Sequence, residues 1–151
     1  MKISNINDQI RRDEGLRLVP YKDTATPPRI TVGWGHNLTD DGGALVPITL
    51  TQAEAFLTAD IAHATAEITT HLPWALALPD VYRGVITNLV FNMGIGIPGK
   101  SGLLAFTHTL AFMKEGQYAA AAAQLLDSKW ATEVGDRATR LATQLRTGTW
   151  Q

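Results

Sequence analysis

EGLRLVPYKDTATPPRITVGWGH, residues 14–36, decides how this chain is read. LRLVPYKD and RITVGW are short runs with β-branched and aromatic residues, and TATPP between them is made of turn formers. The stretch predicts a hairpin of two strands. In the second strand Ile30, Val32 and Trp34 share one face by the two-residue period, while Thr31, Gly33 and Gly35 share the other. The first face is expected to pack, and the second to look into a cleft. Upstream, Ile3, Ile6 and Ile10 recur at helical spacing and predict an amphipathic helix over 3–14. Gly15 suits the left-handed position just past its end, which leaves Glu14 in the last turn.

Downstream, NLTDDGGALVP (37–47) is a polar, glycine-rich return. Thr49 and Gln52 form a capping-box pattern, so a helix is expected to start there. Phe56, Leu57, Ile61, Ala64, Ile68 and Leu72 give it one apolar stripe, closed by Pro73. VYRGVITNLVFNM (81–93) is apolar on nearly every side and reads as a central buried helix. LLAFTHTLAFM (103–113), YAAAAAQLLDSKW (118–130) and DRATRLATQLR (136–146) predict three more helices, parted by Gly116 and by Glu133–Gly135. The expected fold class is α+β, mostly α. A small β-hairpin lobe at about 15–48 and a larger helical lobe from 1–14 and 49–151 make one domain, joined by the long helix with a cleft between.

Composition narrows the function. A chain of 151 residues buries about 68–70% of its unfolded surface and needs no staples. It has no cysteine, which excludes disulfides, thiolate metal sites and cysteine nucleophiles together. Lys plus Arg is 13 against 14 Asp plus Glu, and that balance argues against a nucleic-acid partner. No run approaches ~18 apolar residues, so no membrane insertion is expected. The N-terminal MKISNINDQIRRDEG lacks an apolar run of signal-peptide length. GIGIPG (94–99) fits GxGxxG literally but follows a predicted helix and contains a proline, so it reads as a helix stop and loop. DDGG (40–43) reads as a turn, since calcium-loop spacing is absent. His63, His71 and His108 show no HExxH pattern, and no metal site is expected.

The chemistry of the opening stretch lies in its acids. Glycosidic bond cleavage needs two carboxyl groups in opposite protonation states, one to protonate the leaving oxygen and one to act on water or the sugar. Glu14 would close a helix, where the dipole favours a neutral carboxyl. Asp23 would sit at a strand end beside a polar turn, and the Thr31 hydroxyl could hold a water. On spacing alone the same residues serve equally as a solvated helix end, a turn opener and a β-former.

The wording of the chain goes further. DEGLRL, YKDT, TVGWGH, NLVFNMG, FTHTL, SKW, DRATR and RTGTW, in this order from about Ile10 to Trp150, resemble the phage-type lysozymes (endolysins, glycoside hydrolase family 24). The resemblance implies the lysozyme-like fold. It also implies muramidase activity on the β-1,4 bond between N-acetylmuramic acid and N-acetylglucosamine of peptidoglycan, with inversion and without a cofactor. Carried over by motif, Glu14 matches the general acid, Asp23 the carboxylate that works on water, and Thr31 the residue that positions this water. Arg137 matches an arginine that supports the acid, with the expected role of fixing its position. His36 and Asp60 match an ion pair that braces the fold. Gly35, Phe91, Asn92, Thr109, Gln124 and Trp130 match glycan contacts. The partners implied are glycan strands, with a holin needed for release from the host cytoplasm to the periplasmic wall, and the chain is expected to be a monomer. Against better-known members, the Asp23–Thr31 loop is two residues longer and the segment from His36 to the long helix is shorter. Other readings on the same fold are an inactive wall-binding or structural module, a lytic transglycosylase and a bacterial toxin domain. Asp23 counts against the transglycosylase, which needs one acid only.

Overall fold

The computed structural model describes residues 2–24, 26–39 and 45–151. Its elements are α1 (Ile6–Glu14), β1 (Arg17–Lys22), β2 (Ile30–Gly33), β3 (His36–Asn37), α2 (Leu50–His71), α3 (Asp80–Met93), α4 (Thr107–Lys114), α5 (Tyr118–Leu126), α6 (Lys129–Val134) and α7 (Asp136–Thr147). Seven helices and one antiparallel sheet in the order β1-β2-β3, counted among the described residues, give the expected α+β class, mostly α. No helix among them is long and apolar enough to cross a membrane. The expected DDGG turn lies outside the described residues. The chain divides into two compact units, Ile10–His63 and Met1–Gln9 with Ala64–Gln151. The smaller unit takes in more chain than the hairpin, including the end of α1 and the first turns of α2.

α1 begins three residues later than its isoleucines suggest. The Asn5 side chain accepts from the Asp8 N–H at 3.0 Å and so caps the first turn. Ile10 is fully buried, and Gly15 leaves the helix at φ +67°. In the smaller unit β1 pairs with β2 through Arg17↔Gly33, Tyr21↔Thr31 and Lys22↔Ile30, with an irregularity between Arg17 and Tyr21. Pro20, which has no N–H to donate, falls in that interval. The third strand, His36–Asn37, escaped the sequence reading because two residues carry no period. Thr31, Val32, Gly33 and Trp34 are all buried, so both faces of β2 are covered, where one open face was expected. The reason at Gly33 is the start of α2: a Cβ there would lie 3.6 Å from Ala53 Cβ.

The Thr49–Gln52 box forms in full. Thr49 N–H donates to Gln52 Oε1 at 2.8 Å, and Gln52 N–H donates to Thr49 Oγ1 at 3.1 Å. Each bond satisfies a donor the helix cannot. Thr49→Ala is expected to cost about 1 kcal/mol, read as a lower midpoint in thermal denaturation.

In the larger unit every residue of α3 from Gly84 to Val90 is buried, which fits its unbroken apolar pattern. Around it pack Ile68, Leu72, Leu103, Met113, Leu125, Leu141 and Leu145. Tyr82 and Tyr118 stack with ring centroids 3.6 Å apart. Burial, and then the Tyr82 phenol, push the Tyr118 hydroxyl above its ordinary pKa of 10.0.

Two expected helices are each split. Leu103–Ala105 is a single 3-10 turn, parted from α4 at Phe106. Its N–H groups are taken by the loop after α3, Leu103 to Gly94 O at 3.0 Å and Leu104 to Ile95 O at 2.9 Å. The 118–130 helix breaks at Asp127, because Ser128 caps a new helix: its Oγ accepts from Ala131 N–H at 3.1 Å and donates to Leu125 O at 2.7 Å. Trp130 therefore lies in the first turn of α6 and does not end α5. The GIGIPG segment is a helix stop and loop, as read: Gly94 follows α3 at φ +78°, and Ile97 bridges Ser101.

Candidate active site

Six of the expected site residues fall in the smaller unit. Glu14 is the last residue of α1. Its side chain lies against the backbone of Gly35, where a Cβ would come within 2.9 Å of Glu14 Oε2. Gly35 is at φ +78°, so glycine is required there twice, for the backbone angle and for the carboxyl's approach. The neighbouring Trp34 is buried under the Arg11 guanidinium, 4.6 Å from the ring centroid. Arg11 also grips both carboxylate oxygens of Glu54 on α2. The end of α1, the GWG turn and the start of α2 are thereby tied together around Glu14.

Asp23 stands one residue past β1. Its N–H donates to Arg29 O at 2.8 Å, so the ladder continues one pair beyond Lys22↔Ile30. Thr31 pairs with Tyr21, two residues before Asp23, so the register puts Asp23 diagonal to Thr31 across the hairpin. Asp23 Oδ1 accepts from the Arg29 N–H at 2.9 Å, and Oδ2 faces Arg29 Nε at 3.3 Å. The Arg29 side chain is 56% exposed, so this pair orients more than it stabilises. Thr31 is 7% exposed. His36 Nδ1 lies 2.8 Å from Asp60 Oδ2, and its ring stacks on Phe56 at 4.0 Å.

The other six residues are in the larger unit. Phe91 and Asn92 are half-buried near the end of α3. Asn92 Oδ1 accepts from Trp130 Nε1 at 2.7 Å, and Trp130 meets Phe106 edge to face at 6.4 Å. Thr109 and Gln124 line one cavity of about 230 Å³, together with His108, Asp127 and Ser128. Arg137, on α7 and 8% exposed, donates from Nε to Asn88 Oδ1 at 2.9 Å.

The sequence reading missed Arg29, Arg11, and the buried pair Gln9 and Gln144. Arg29 had one available signal, its place directly across the hairpin from Asp23. The two glutamines had none, because in helices as polar as INDQIRRDE and DRATRLATQLRT one more amide does not announce that it is buried.

The sequence profile described as phage lysozyme matches residues 11–146. An endolysin of Acyrthosiphon pisum secondary endosymbiont phage 1 is 37% identical over 80% of this chain and 73% of its own length. A probable T4-type lysozyme 1 of Dictyostelium discoideum is 27% identical over 97% of this chain and 96% of its own. The pre-baseplate central spike protein Gp5 of Enterobacteria phage T4 is 27% identical over 93% of this chain but 27% of its own length. The chain belongs to the phage lysozyme family, which places it among the lysozyme-type glycan hydrolases.

Proposed function

We propose that this chain cleaves the β-1,4 bond between N-acetylmuramic acid and N-acetylglucosamine in peptidoglycan, inverting the sugar carbon. Glu14 gives its proton to the glycosidic oxygen as the C–O bond breaks. Positive charge builds on the ring in an oxocarbenium-like transition state. A water attacks from the opposite face, oriented by the Thr31 hydroxyl, and Asp23 takes up its proton. Both Asp23 oxygens are oriented by Arg29, and a carboxylate accepts the proton of a bound water. Gly35, Phe91, Asn92, Thr109, Gln124 and Trp130 are the proposed glycan contacts, with the Asn92 amide turned by Trp130 so that its NH2 can meet an acceptor on the sugar. Arg137 supports the acid, and the His36–Asp60 pair braces the smaller unit. In its biology the protein acts as a monomeric phage or prophage endolysin that reaches the wall through a holin-type lesion.

The observation that carries this reading is a single one. In a member of the phage lysozyme family, the hairpin register sets Asp23 diagonal to Thr31 in the same compact unit that holds Glu14 at the end of α1. The test is product analysis on purified Gram-negative peptidoglycan. Fragments with reducing ends are expected by mass, and the α anomer should appear first by NMR. Anhydro ends would make the protein a transglycosylase. Sedimentation with the wall and no cleavage would make it a binding module.

A further inference from the structure

Gln9, Asn88, Arg137 and Gln144 form one buried chain of hydrogen bonds within the larger unit. Gln9, Asn88 and Gln144 are fully buried. Arg137 Nε donates to Asn88 Oδ1 at 2.9 Å, and Asn88 Nδ2 donates to Gln9 Oε1 at 3.0 Å. Gln9 Nε2 donates to Gln144 Oε1 at 2.6 Å and to the Gln151 carbonyl at 3.2 Å. Gln144 Nε2 closes the chain on the Val81 carbonyl at 2.7 Å.

The ends fix the direction of everything between them. A guanidinium only donates, and a backbone carbonyl only accepts. If any one amide turned over, a donor would face a donor or an acceptor an acceptor, leaving buried polar groups unsatisfied. Each amide therefore has one orientation. The end of the chain that bears on function is Arg137, whose Nε is directed at Asn88 by a partner that Gln9 in turn holds still. Gln144 lies two turns along α7 from Arg137 and anchors the same relay.

We propose that Gln9, with Gln144 behind it, is a positioning residue: it holds the Arg137 guanidinium through Asn88 and so sets the turnover of the glycan hydrolysis. The inference rests on the reading of Arg137 as a supporting residue in that reaction. It makes a demand that packing alone does not. What Arg137 needs from position 9 is an acceptor for Asn88 Nδ2, whereas stability needs the whole relay.

Two variants of one residue separate these demands. Gln9→Met keeps the volume and removes the acceptor. Its turnover on purified peptidoglycan should fall about tenfold, with KM little changed. Gln9→Glu keeps an acceptor for Asn88, but its second oxygen faces the Gln144 and Gln151 oxygens, so it must either give up that donor or carry a proton, at a cost in stability at neutral pH. It should recover most of the turnover that Gln9→Met loses, although its thermal midpoint falls. Equal losses in both variants, tracking their stability, would overturn the inference, as would normal turnover in Gln9→Met. A measurement on the unmodified protein stands beside them if a variant does not fold. The Arg137 Nε–H should exchange slowly with solvent by 15N NMR, and rapid exchange would rule the relay out. Arg137→Ala tests the underlying reading separately. If it turns over normally, the supporting role falls and the inference with it. If it is slow while Gln9→Met is not, only the relay falls.

Discussion

Glu14→Gln is expected to lower the rate of reducing-end release from peptidoglycan by about 10²–10⁴-fold. The amide has nearly the shape of the carboxyl but holds no proton that it can surrender to a departing alkoxide. At the end of α1 the side chain lies against Gly35 and is not packed in the core. The thermal midpoint should therefore move little, since substitutions away from a core feature change stability by about 0.5 kcal/mol or less. Activity and stability measured on one preparation make the result clear. Parental clearing of permeabilised cells by this variant would refute the assignment of the acid. A silent variant that had also unfolded would be identified by its circular dichroism.

The second large effect concerns stability. Gly96→Ala should destabilise the larger unit by about 3 kcal/mol, from left-handed strain plus overpacking. At this chain length that lowers the midpoint by roughly 6–12 °C. Gly96 has φ +73°, and a Cβ on it would lie 2.0 Å from the Ser101 carbonyl oxygen. The obstacle is backbone, held in place by the Ile97–Ser101 bridge, so no side-chain rotation relieves it. Gly99→Ala is the internal control. Gly99 has φ +68° but nothing within 4 Å of a Cβ, so only the left-handed strain of about 1–2 kcal/mol remains. Equal shifts in the two variants would mean that the close approach at Gly96 does not matter. Gly96 thus has a steric purpose, and the literal GxGxxG match of this segment is incidental.

Local signals were legible wherever they were redundant. Thr49 and Gln52 announce a helix start because each supplies what the other's backbone lacks. The 81–93 stretch announces a buried helix because nearly every face of it is apolar. Gly15 announces the end of α1 through its backbone freedom. Signals that depend on distant chain were not legible. The 103–113 stretch has a helical pattern throughout, yet its first turn is claimed by carbonyls of Gly94 and Ile95. Ser128 looks like one more polar residue on a helix until its hydroxyl takes the Ala131 N–H. The same division applies to the site. The order of motifs singled out Glu14, Asp23 and Thr31 as candidates, while the hold of Arg29 on Asp23 and that of Gln9 on Asn88 are matters of tertiary contact. Neither has a period or a motif to betray it.

The smaller unit clamps the chain on both sides of residues 40–44. Before them, Leu38 N–H bonds Ile30 O and Thr39 Oγ1 accepts from Ile30 N–H. After them, Ile48 N–H bonds Leu18 O, and the Thr49–Gln52 exchange opens α2 without help from upstream. The first clamp fixes the register of β2 and the second fixes the start of α2, each through its own hydrogen bonds. A substitution that loosens one is therefore expected to leave the pairing of the other in place.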